Sequence, residues 1–287
     1  MIPDWLHGFV DDAAIFPPGN APLDRAVAEY RDHRASEYAD LVGGFVVSDV
    51  RLPELIDVLD DRDDDAVLDL NLVVTGGAGA IEGGVRWATR APTTRLAAVE
   101  IALRDEDDLA HNARRVLTAV DQLAAELDGV EVYVEPPRLR GEPTSGWLAA
   151  LDELAMRDGM RAKFRTGGVE QDAFPTCGEL ADAIGAALDR ELAFKCTAGL
   201  HHAVRHVDPE TGLTHHGFLN VLLATRASLD GRDASDVLAE ESAVALLEGL
   251  DVEELARTRR WFTGLGSCSI LEPHDDLVEL GLLEVHA

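Results

Sequence analysis

The sequence predicts an α/β protein with a (β/α)8 fold, the TIM barrel. Three observations favour this fold: eight short apolar segments of strand character, helical spacing between them, and a length of 287 residues. A barrel of this class alternates eight parallel strands with helices and typically needs about 250 residues. The glycine pattern G-x-G-x-x-G of the competing doubly wound sheet does not follow the first segment.

The strands are predicted from short apolar runs bounded by polar or glycine-rich segments. In chain order they cover 8–16, 42–47, 67–74, 96–103, 130–135, 160–165, 192–197 and 261–266. Helical spacing of apolar residues between these runs predicts helices over 22–35, 51–61, 108–127, 146–158 and 178–191, with a short final helix near 274–283.

The connection after the seventh strand, 200–260, is longer than the others and contains two further helical patterns. In a barrel such a connection lies over the carboxyl-terminal mouth, where substrate-binding loops are found. No Pro- or Ser-rich linker and no shift in composition divides the chain, so we predict one domain over 1–287.

The chain is strongly acidic, with 54 acidic and 25 basic residues and a formal net charge of −29. Lysine occurs twice, at Lys163 and Lys195, and arginine supplies the other positive charges. Such self-repulsion is destabilising at low ionic strength and is screened by salt. The composition therefore predicts a halophilic protein, an acidic protein from a GC-rich genome being the alternative. Because no basic stripe is present, we expect no nucleic-acid partner.

The cysteines Cys177, Cys196 and Cys268 are far apart and lack CxxC spacing, which argues against a disulfide framework. The first residues do not resemble a signal peptide, and no run approaches the roughly 18 apolar residues needed to cross a bilayer. We therefore expect a cytoplasmic protein without membrane contact. A homo-oligomer stays open.

Alternation along the strands predicts which side chains face the barrel axis. When the apolar residues of each strand are assigned to the helix-facing side, five neighbouring strands direct polar residues inward. These are Asn71, Glu100, Glu135, Lys163 and Lys195. A structural barrel interior is filled with branched aliphatic side chains, and buried charges are costly unless paired. The pattern therefore indicates a functional centre.

Both lysines lie in strand-like segments, where an ammonium group is costly to bury. Structural ion pairs with Glu100 or Glu135 are one interpretation. Arginine, which this chain uses elsewhere, suits such pairs better, whereas lysine can be tuned to form a Schiff base. Since each ammonium disfavours protonation of its neighbour, we expect one amine with a lowered pKa, and carboxyls that move protons.

The segment "KFRTGG" at 163–168 resembles the sixth-strand K-x-x-T-G motif of deoxyribose-phosphate aldolases, and "KCTAG" at 195–199 is similar to their seventh-strand K-x-x-G-G segment. The resemblance implies that Lys163 forms the Schiff base, that Lys195 lowers its pKa, and that Glu100 stands where the family has a catalytic aspartate. After the seventh strand this chain has "LHHAVRH" in place of small residues. The combination with "HGFLN" also resembles a broad group of prokaryotic barrel proteins without an assigned reaction.

Residues that follow the barrel strands are candidates for substrate binding. Backbone amides there often bind phosphate, and arginine pairs with anionic groups. The candidates are Asn71, Arg165, Thr166, Gly167, Gly168, Thr197, Gly199, His201, His202, Asn220, Gly266 and Ser267.

Five of the ten histidines lie between 201 and 216, namely His201, His202, His206, His215 and His216. They could bind a divalent metal ion or form a polar lid over the substrate. The first strand lacks the H-x-H pattern of metal-dependent barrel hydrolases. Its Asp11 and Asp12 could act as ligands or cap a turn.

The leading hypothesis is a lyase of class I aldolase type that needs no cofactor and acts on a small carbonyl substrate, phosphorylated or not. Its catalytic residues would be Lys163, Lys195, Glu100 and Glu135. The alternatives are a metal-dependent barrel hydrolase or isomerase that uses the 201–216 histidines, and a small-molecule binding protein without a reactive amine.

Overall fold

The computed structural model describes residues 2–60, 66–104 and 107–284. Within them, eight parallel strands form a closed barrel in which each strand pairs with its neighbours in the chain and the last pairs with the first. This confirms the predicted (β/α)8 fold. The barrel strands are β1 (Val10–Asp12), β2 (Val42–Ser48), β3 (Leu68–Val74), β4 (Thr94–Ala102), β5 (Glu131–Glu135), β6 (Met160–Arg165), β7 (Phe194–Thr197) and β10 (Phe262–Ser267).

Helices follow the strands. They are α1 (Leu23–Arg34), α2 (Leu52–Asp60), α3 (Ile81–Arg90), α4 (Leu109–Gln122), α5 (Ser145–Ala155), α6 (Cys177–Leu188) and the final α11 (Leu271–Glu279). The predicted end of α2 at residue 61 lies outside the described residues. The helical pattern of α3 is weak in the sequence, because Gly83 and Gly84 lie within it. Its apolar residues Ile81, Val85 and Ala88 are nevertheless buried on one face.

The connection from β7 to β10 begins with a small antiparallel hairpin, β8 (His206–Val207) and β9 (Thr214–His215). The long helix α7 (Phe218–Leu229) follows. The second predicted helical pattern is three short helices: α8 (Ala234–Ala239), α9 (Ala243–Leu247) and α10 (Val252–Thr258). It is divided because the side chains of Asp233, Ser242 and Asp251 each cap the amino end of a new helix.

The apolar core lies between the barrel and its helices, as alternation along the strands predicts. Leu70, Leu72 and Val99 are fully buried there. Phe194 contacts Phe164 and Phe262, with ring centroids 5.3 Å and 5.5 Å apart. Because this face of each strand takes the apolar residues, the inner face is free to carry polar ones. None of the described helices is long and apolar enough to cross a membrane.

Candidate active site

Lys163 and Lys195 lie side by side in the barrel interior. Their Cα positions are partners on the adjacent parallel strands β6 and β7. Both side chains therefore leave the sheet at one level and point toward the axis. Lys163 is 5% exposed and Lys195 is 2% exposed.

One carboxylate holds both ammonium groups. Lys163 Nζ donates to Glu100 Oε2 at 2.8 Å, and Lys195 Nζ donates to Glu100 Oε1 at 2.6 Å. Each lysine also has a carboxylate of its own. Lys163 Nζ lies 2.9 Å from Glu135 Oε2, and Lys195 Nζ donates to Asp11 Oδ2.

Asp11 is a partner that the sequence analysis did not assign to the lysines. Its Oδ1 accepts a hydrogen bond from the backbone N–H of Gly44 at 2.9 Å, which fixes the carboxylate beneath Lys195. Strand β1 has three residues, too few for alternation to show which of Asp11 and Asp12 faces inward. Asp12 caps the following turn, since its Oδ1 accepts from the N–H of Ala14 at 3.0 Å.

The expectation that one amine has a lowered pKa is wrong. Burial alone would lower the pKa of each lysine, but the carboxylates outweigh it. Glu100 and Glu135 raise the pKa of Lys163, while Asp11 and Glu100 raise that of Lys195. Because carboxylates lie between and around the two ammonium groups, attraction exceeds their mutual repulsion.

The carboxylates differ among themselves. Burial raises the pKa of Glu100, but Lys163 and Lys195 together lower it to about 2. The pKa of Glu135 is also lowered, since Lys163 and Arg165 outweigh its burial. The pKa of Asp11 is raised, because burial dominates over the single ammonium of Lys195. Of the three carboxylates in direct contact with the lysines, Asp11 is therefore the one whose pKa lies above its ordinary value.

A cavity of about 240 Å³, here called the mouth cavity, opens at the carboxyl-terminal end of the barrel. Lys163 lines it, whereas Lys195 lies deeper. The apolar wall of the mouth cavity is formed by Val46, Val73 and Phe16. Its polar lining consists of Glu100, Lys163, Arg165, Thr197, His201 and Cys268. Arg165 also donates to Glu135 Oε1 at 3.2 Å, so its guanidinium lies beside the lysine centre.

Glycines after the strands shape this mouth. Gly168 and Gly266 line the cavity, and a Cβ on Gly167 would lie 2.7 Å from the ring of Phe174. Gly199, with φ +80°, belongs to the adjoining histidine cavity. Ala198, which precedes it, adopts φ 65°, a conformation that favours glycine. The aldolase motif has glycine at this position.

Seven predicted substrate-binding residues do not line the mouth cavity, namely Asn71, Thr166, Gly167, Gly199, His202, Asn220 and Ser267. Asn220 is fully buried. Its side-chain amide accepts a hydrogen bond from the N–H of Arg205 and donates to the carbonyls of Val237 and Glu240, so its polar atoms are satisfied within the protein. Thr166 Oγ1 donates to the carbonyl of Ala198 at 2.6 Å and so joins the ends of β6 and β7. These contacts hold loops in place.

Ser267 is also buried, and its Oγ accepts from the N–H of Ser269 at 3.2 Å, as in an ordinary turn. Asn71 faces the barrel interior, but it lines a separate cavity at the amino-terminal end. Alternation identified the inward face of β3 correctly but did not give the depth of each residue along the axis.

The five clustered histidines do not converge on one point. His201 Nδ1 lies 3.0 Å from Glu272 Oε2, and His202 Nδ1 lies 3.2 Å from Asp276 Oδ2. His206 and His215 have ring centroids 5.4 Å apart. With His201 and His202 they line a cavity of about 550 Å³ next to the mouth, the histidine cavity. In the parts of the chain that the structure describes, no three His, Cys, Asp or Glu side chains are grouped to hold a metal ion.

The pKa values of His201 and His216 are shifted in opposite directions. Burial lowers the pKa of His201, but Cys268 and Glu272 raise it to about 9, so the ring is protonated at neutral pH. Burial lowers the pKa of His216 to about 4, and its Nε2 donates to the carbonyl of Pro175 at 2.8 Å. His201 is therefore a cation at the mouth, and His216 is a neutral part of the core.

No protein-family model matches this sequence, and no curated protein matches it. Among solved structures, the fold is similar to that of D-psicose 3-epimerase, crystallised in the presence of D-fructose. The identity is 10%, the match covers 88% of this chain and 96% of that chain, and the TM-score is 0.41. A likeness this distant carries no information on the reaction, so the function is inferred from the site.

Proposed function

We propose that this protein is an enzyme of class I aldolase type, a lyase that binds a small carbonyl compound as a Schiff base on Lys163. The observation that supports the proposal is the position of Lys163: its ammonium group lines the mouth cavity while two carboxylates hold it. The resemblance to deoxyribose-phosphate aldolases supports the choice of Lys163 as the Schiff-base lysine. It does not extend to the role of Lys195, because the pKa of Lys163 is raised in the resting site and not lowered.

The first step is loss of a proton from Lys163, because an ammonium group is not a nucleophile. Glu100 or Glu135 accepts this proton through the existing contact. A substrate that fills the mouth excludes water, and a neutral amine beside a carboxylic acid is then favoured relative to the ion pair. The raised pKa of free Lys163 is thus a property of the resting site.

The free amine then attacks the carbonyl carbon. A nitrogen–carbon bond forms, and a proton moves from nitrogen to the former carbonyl oxygen to give a carbinolamine. The carboxylic acid formed in the first step then protonates this hydroxyl, which leaves as water, and an iminium ion remains. The iminium ion draws the electrons of a neighbouring C–C bond toward nitrogen, so that the bond breaks to an enamine and a second carbonyl fragment, whose hydroxyl proton passes to the carboxylate. Lys195 keeps Glu100 in position throughout, and the cations Arg165 and His201 attract an anionic group on the substrate.

Borohydride trapping tests the proposal. The protein is incubated with small aldehydes, ketones and 2-oxo acids, reduced with sodium borohydride, and analysed by intact mass and peptide mapping. Since the chain has two lysines, an adduct is assigned without ambiguity. We expect an adduct on Lys163 that K163R abolishes.

The matched control is K195R, which keeps Lys163 and the positive charge. We expect it to retain the adduct but to form it more slowly, because arginine holds Glu100 differently. If no carbonyl in the panel gives an adduct on Lys163, the proposal is wrong, and a small-molecule binding protein becomes the better interpretation.

A further inference from the structure

A second cavity reaches the lysine pair from the opposite end of the barrel. This amino-terminal cavity has a volume of about 380 Å³. Its polar lining consists of Asp11, Asn71, Arg95, Glu131, Tyr133, Lys195 and Thr263. Gly8, Gly129 and Arg95 at its rim are exposed, so the cavity opens to solvent.

Glycines in β2 make room for its polar groups. A Cβ on Gly43 would lie 2.2 Å from Asp11 Oδ1, and one on Gly44 would lie 2.4 Å from Asn71 Oδ1. Neither distance is possible for real atoms. The GG pair in "VGGFVV" therefore allows Asp11 and Asn71 to occupy the barrel interior.

Asn71 indicates what occupies this cavity. The residue is 4% exposed, and no other residue in the described ranges donates to or accepts from its side-chain amide. The amide is not among the fully enclosed polar atoms without a partner, because it faces the cavity. A buried amide without a partner is costly, and ordered water is the usual partner in a polar cavity. Because the amide lines the amino-terminal cavity, we assign water as its ligand there.

The two cavities are joined by one chain of hydrogen bonds. Lys163 and Glu100 line the mouth cavity, and Lys195 and Asp11 line the amino-terminal cavity. Glu100 contacts both lysines, and Lys195 contacts Asp11. The chain of charges therefore runs through the barrel from one end to the other.

We propose that the amino-terminal cavity is a solvent port through which water exchanges protons with Asp11, and through Lys195 and Glu100 with Lys163, while substrate occupies the mouth. The inference rests on the proposed Schiff-base function. It assigns a role to Asp11, which does not touch the substrate, and to Asn71, which orders the water.

The proton transfers balance along the chain. Lys163 gives a proton to Glu100, Glu100 gives one to Lys195, and Lys195 gives one to Asp11. The net result is a neutral amine at Lys163, an unchanged Glu100 and Lys195, and a protonated Asp11. Asp11 then releases its proton to water in the amino-terminal cavity. When the carbinolamine hydroxyl leaves as water, it takes a proton back by the reverse path, so formation of the iminium ion from the ammonium group and the carbonyl releases no net proton.

Asp11 suits this role, because burial raises its pKa above that of an ordinary aspartate. Lys195 and the N–H of Gly44 act against this shift, and Glu100 adds to it. Further groups that interact electrostatically with Asp11 from the surrounding elements are Asp12, Tyr30 and Arg259.

Exchange of lysine protons with water tests the port without any substrate. Protein labelled with ¹⁵N at lysine gives two side-chain signals, one for each lysine, and their exchange with water is measured by NMR. Asn71→Leu makes the cavity apolar, and we expect it to slow exchange at Lys195 by about tenfold or more, because a buried ammonium exchanges through bound water or an acid.

Val46→Phe, which fills the mouth cavity, is the matched control. It should slow exchange at Lys163 and leave Lys195 unchanged. If Val46→Phe slows Lys195 and Asn71→Leu does not, water reaches Lys195 from the mouth and the port is refuted.

The effect on chemistry is read from the pH dependence of borohydride trapping. Asp11→Asn removes the proton acceptor, and we expect trapping at Lys163 to slow by about tenfold and to lose its dependence on the aspartate pKa. Asp12→Asn, one residue further and outside the chain of charges, should trap like the wild type.

The two proposals can fail separately. Normal trapping by Asp11→Asn, together with unchanged Lys195 exchange in Asn71→Leu, overturns the port and leaves the Schiff base. No trapping in the wild type overturns the Schiff base, and the exchange measurement then decides the port alone.

Discussion

Glu100 accepts a hydrogen bond from each lysine, and each lysine has a second carboxylate besides. The residue is 2% exposed, so its charge is maintained by these contacts and not by water. Loss of either lysine would leave Glu100 with one partner. Loss of Glu100 would leave two ammonium groups close together in the barrel interior, each with one carboxylate.

We therefore predict that Glu100→Gln lowers the free energy of unfolding by about 3–5 kcal/mol at neutral pH, the range for breaking a buried ion pair. Urea denaturation measures the change. Glu82→Gln is the control: Glu82 pairs with Arg86 at 2.6 Å on the exposed face of α3, and its loss should cost less than about 1 kcal/mol. Equal effects of the two substitutions would contradict the buried network.

The difference in stability between the wild type and Glu100→Gln should depend on pH. The pKa of Glu100 is lowered on folding to about 2. Its contribution is therefore present above the pKa of the unfolded state and is lost as pH falls through the folded value. The difference in unfolding free energy between wild type and Glu100→Gln should narrow by about 3 kcal/mol between pH about 5 and about 2.

The residue scale also shows what alternation can and cannot predict. Period two in β4, β6 and β7 identified Glu100, Lys163 and Lys195 as inward-facing, because each strand has a clear apolar set on its other face. It could not identify Asp11, whose strand has three residues. It also could not show that carboxylates would raise the lysine pKa values, since that depends on contacts across the barrel.

At the element scale, the end of β7 carries a strained backbone position. Ala198 has φ 65°, and its carbonyl accepts from Thr166 Oγ1, which ties the loop to the end of β6. A left-handed conformation costs a non-glycine residue about 1–2 kcal/mol. The strand end is held in this shape beside the mouth cavity, which Ala198 lines.

We predict that Ala198→Gly raises the free energy of unfolding by up to about 1 kcal/mol, because relief of strain exceeds the greater flexibility of glycine in the unfolded chain. The urea midpoint should rise with no change in slope. Ala149→Gly, in the middle of α5, should instead cost about 1 kcal/mol. A destabilising Ala198→Gly would show that this loop gains nothing from glycine.

Helix boundaries followed from local signals where these were clear. The capping box of Thr176 and Glu179 begins α6, and the side chain of Asp108 begins α4, close to the predicted starts. The second helical pattern in the connection between β7 and β10 is continuous in the sequence. In the structure, capping residues divide it into the helices α8, α9 and α10. The bounds of α11 also differ by three or four residues from the prediction.

At the scale of the whole molecule, the dominant feature is the net negative charge, since the chain has 54 acidic and 25 basic residues. Its apolar core is of ordinary size and must hold the fold together against this charge. Ion pairs such as Arg114 with Glu153 and Arg190 with Asp152 neutralise part of the surface charge. The 25 basic residues are nevertheless too few to pair with all 54 acidic residues. Net repulsion then acts against the folded state unless ions screen it.

We predict that the urea midpoint rises when KCl is increased from about 0.1 M to about 1 M, as the screening length falls from about 10 Å to about 3 Å. Urea is used because it carries no charge. Sucrose at matched osmolality is the control and separates screening from general exclusion of solute. A midpoint that falls with salt would mean that attractive surface pairs dominate, against the prediction of a halophilic protein.

The fold was therefore accessible from the sequence, because (β/α)8 topology follows from a repeated local pattern. The inward-facing positions of Glu100, Glu135, Lys163 and Lys195 were accessible for the same reason. The amino-terminal cavity was not, since it depends on glycines in β2 that leave space for side chains from two other strands. Neither the depth of Asn71 nor the pairing of Asp11 with Lys195 has a signal within a single strand.

The burial of both lysines has a practical consequence for handling the protein. Acylating dyes, biotin esters and amine-directed cross-linkers would find no accessible ε-amino group on its outer face. Acylation of lysine by such reagents, located by peptide mapping, would therefore report selectively on access to the barrel interior.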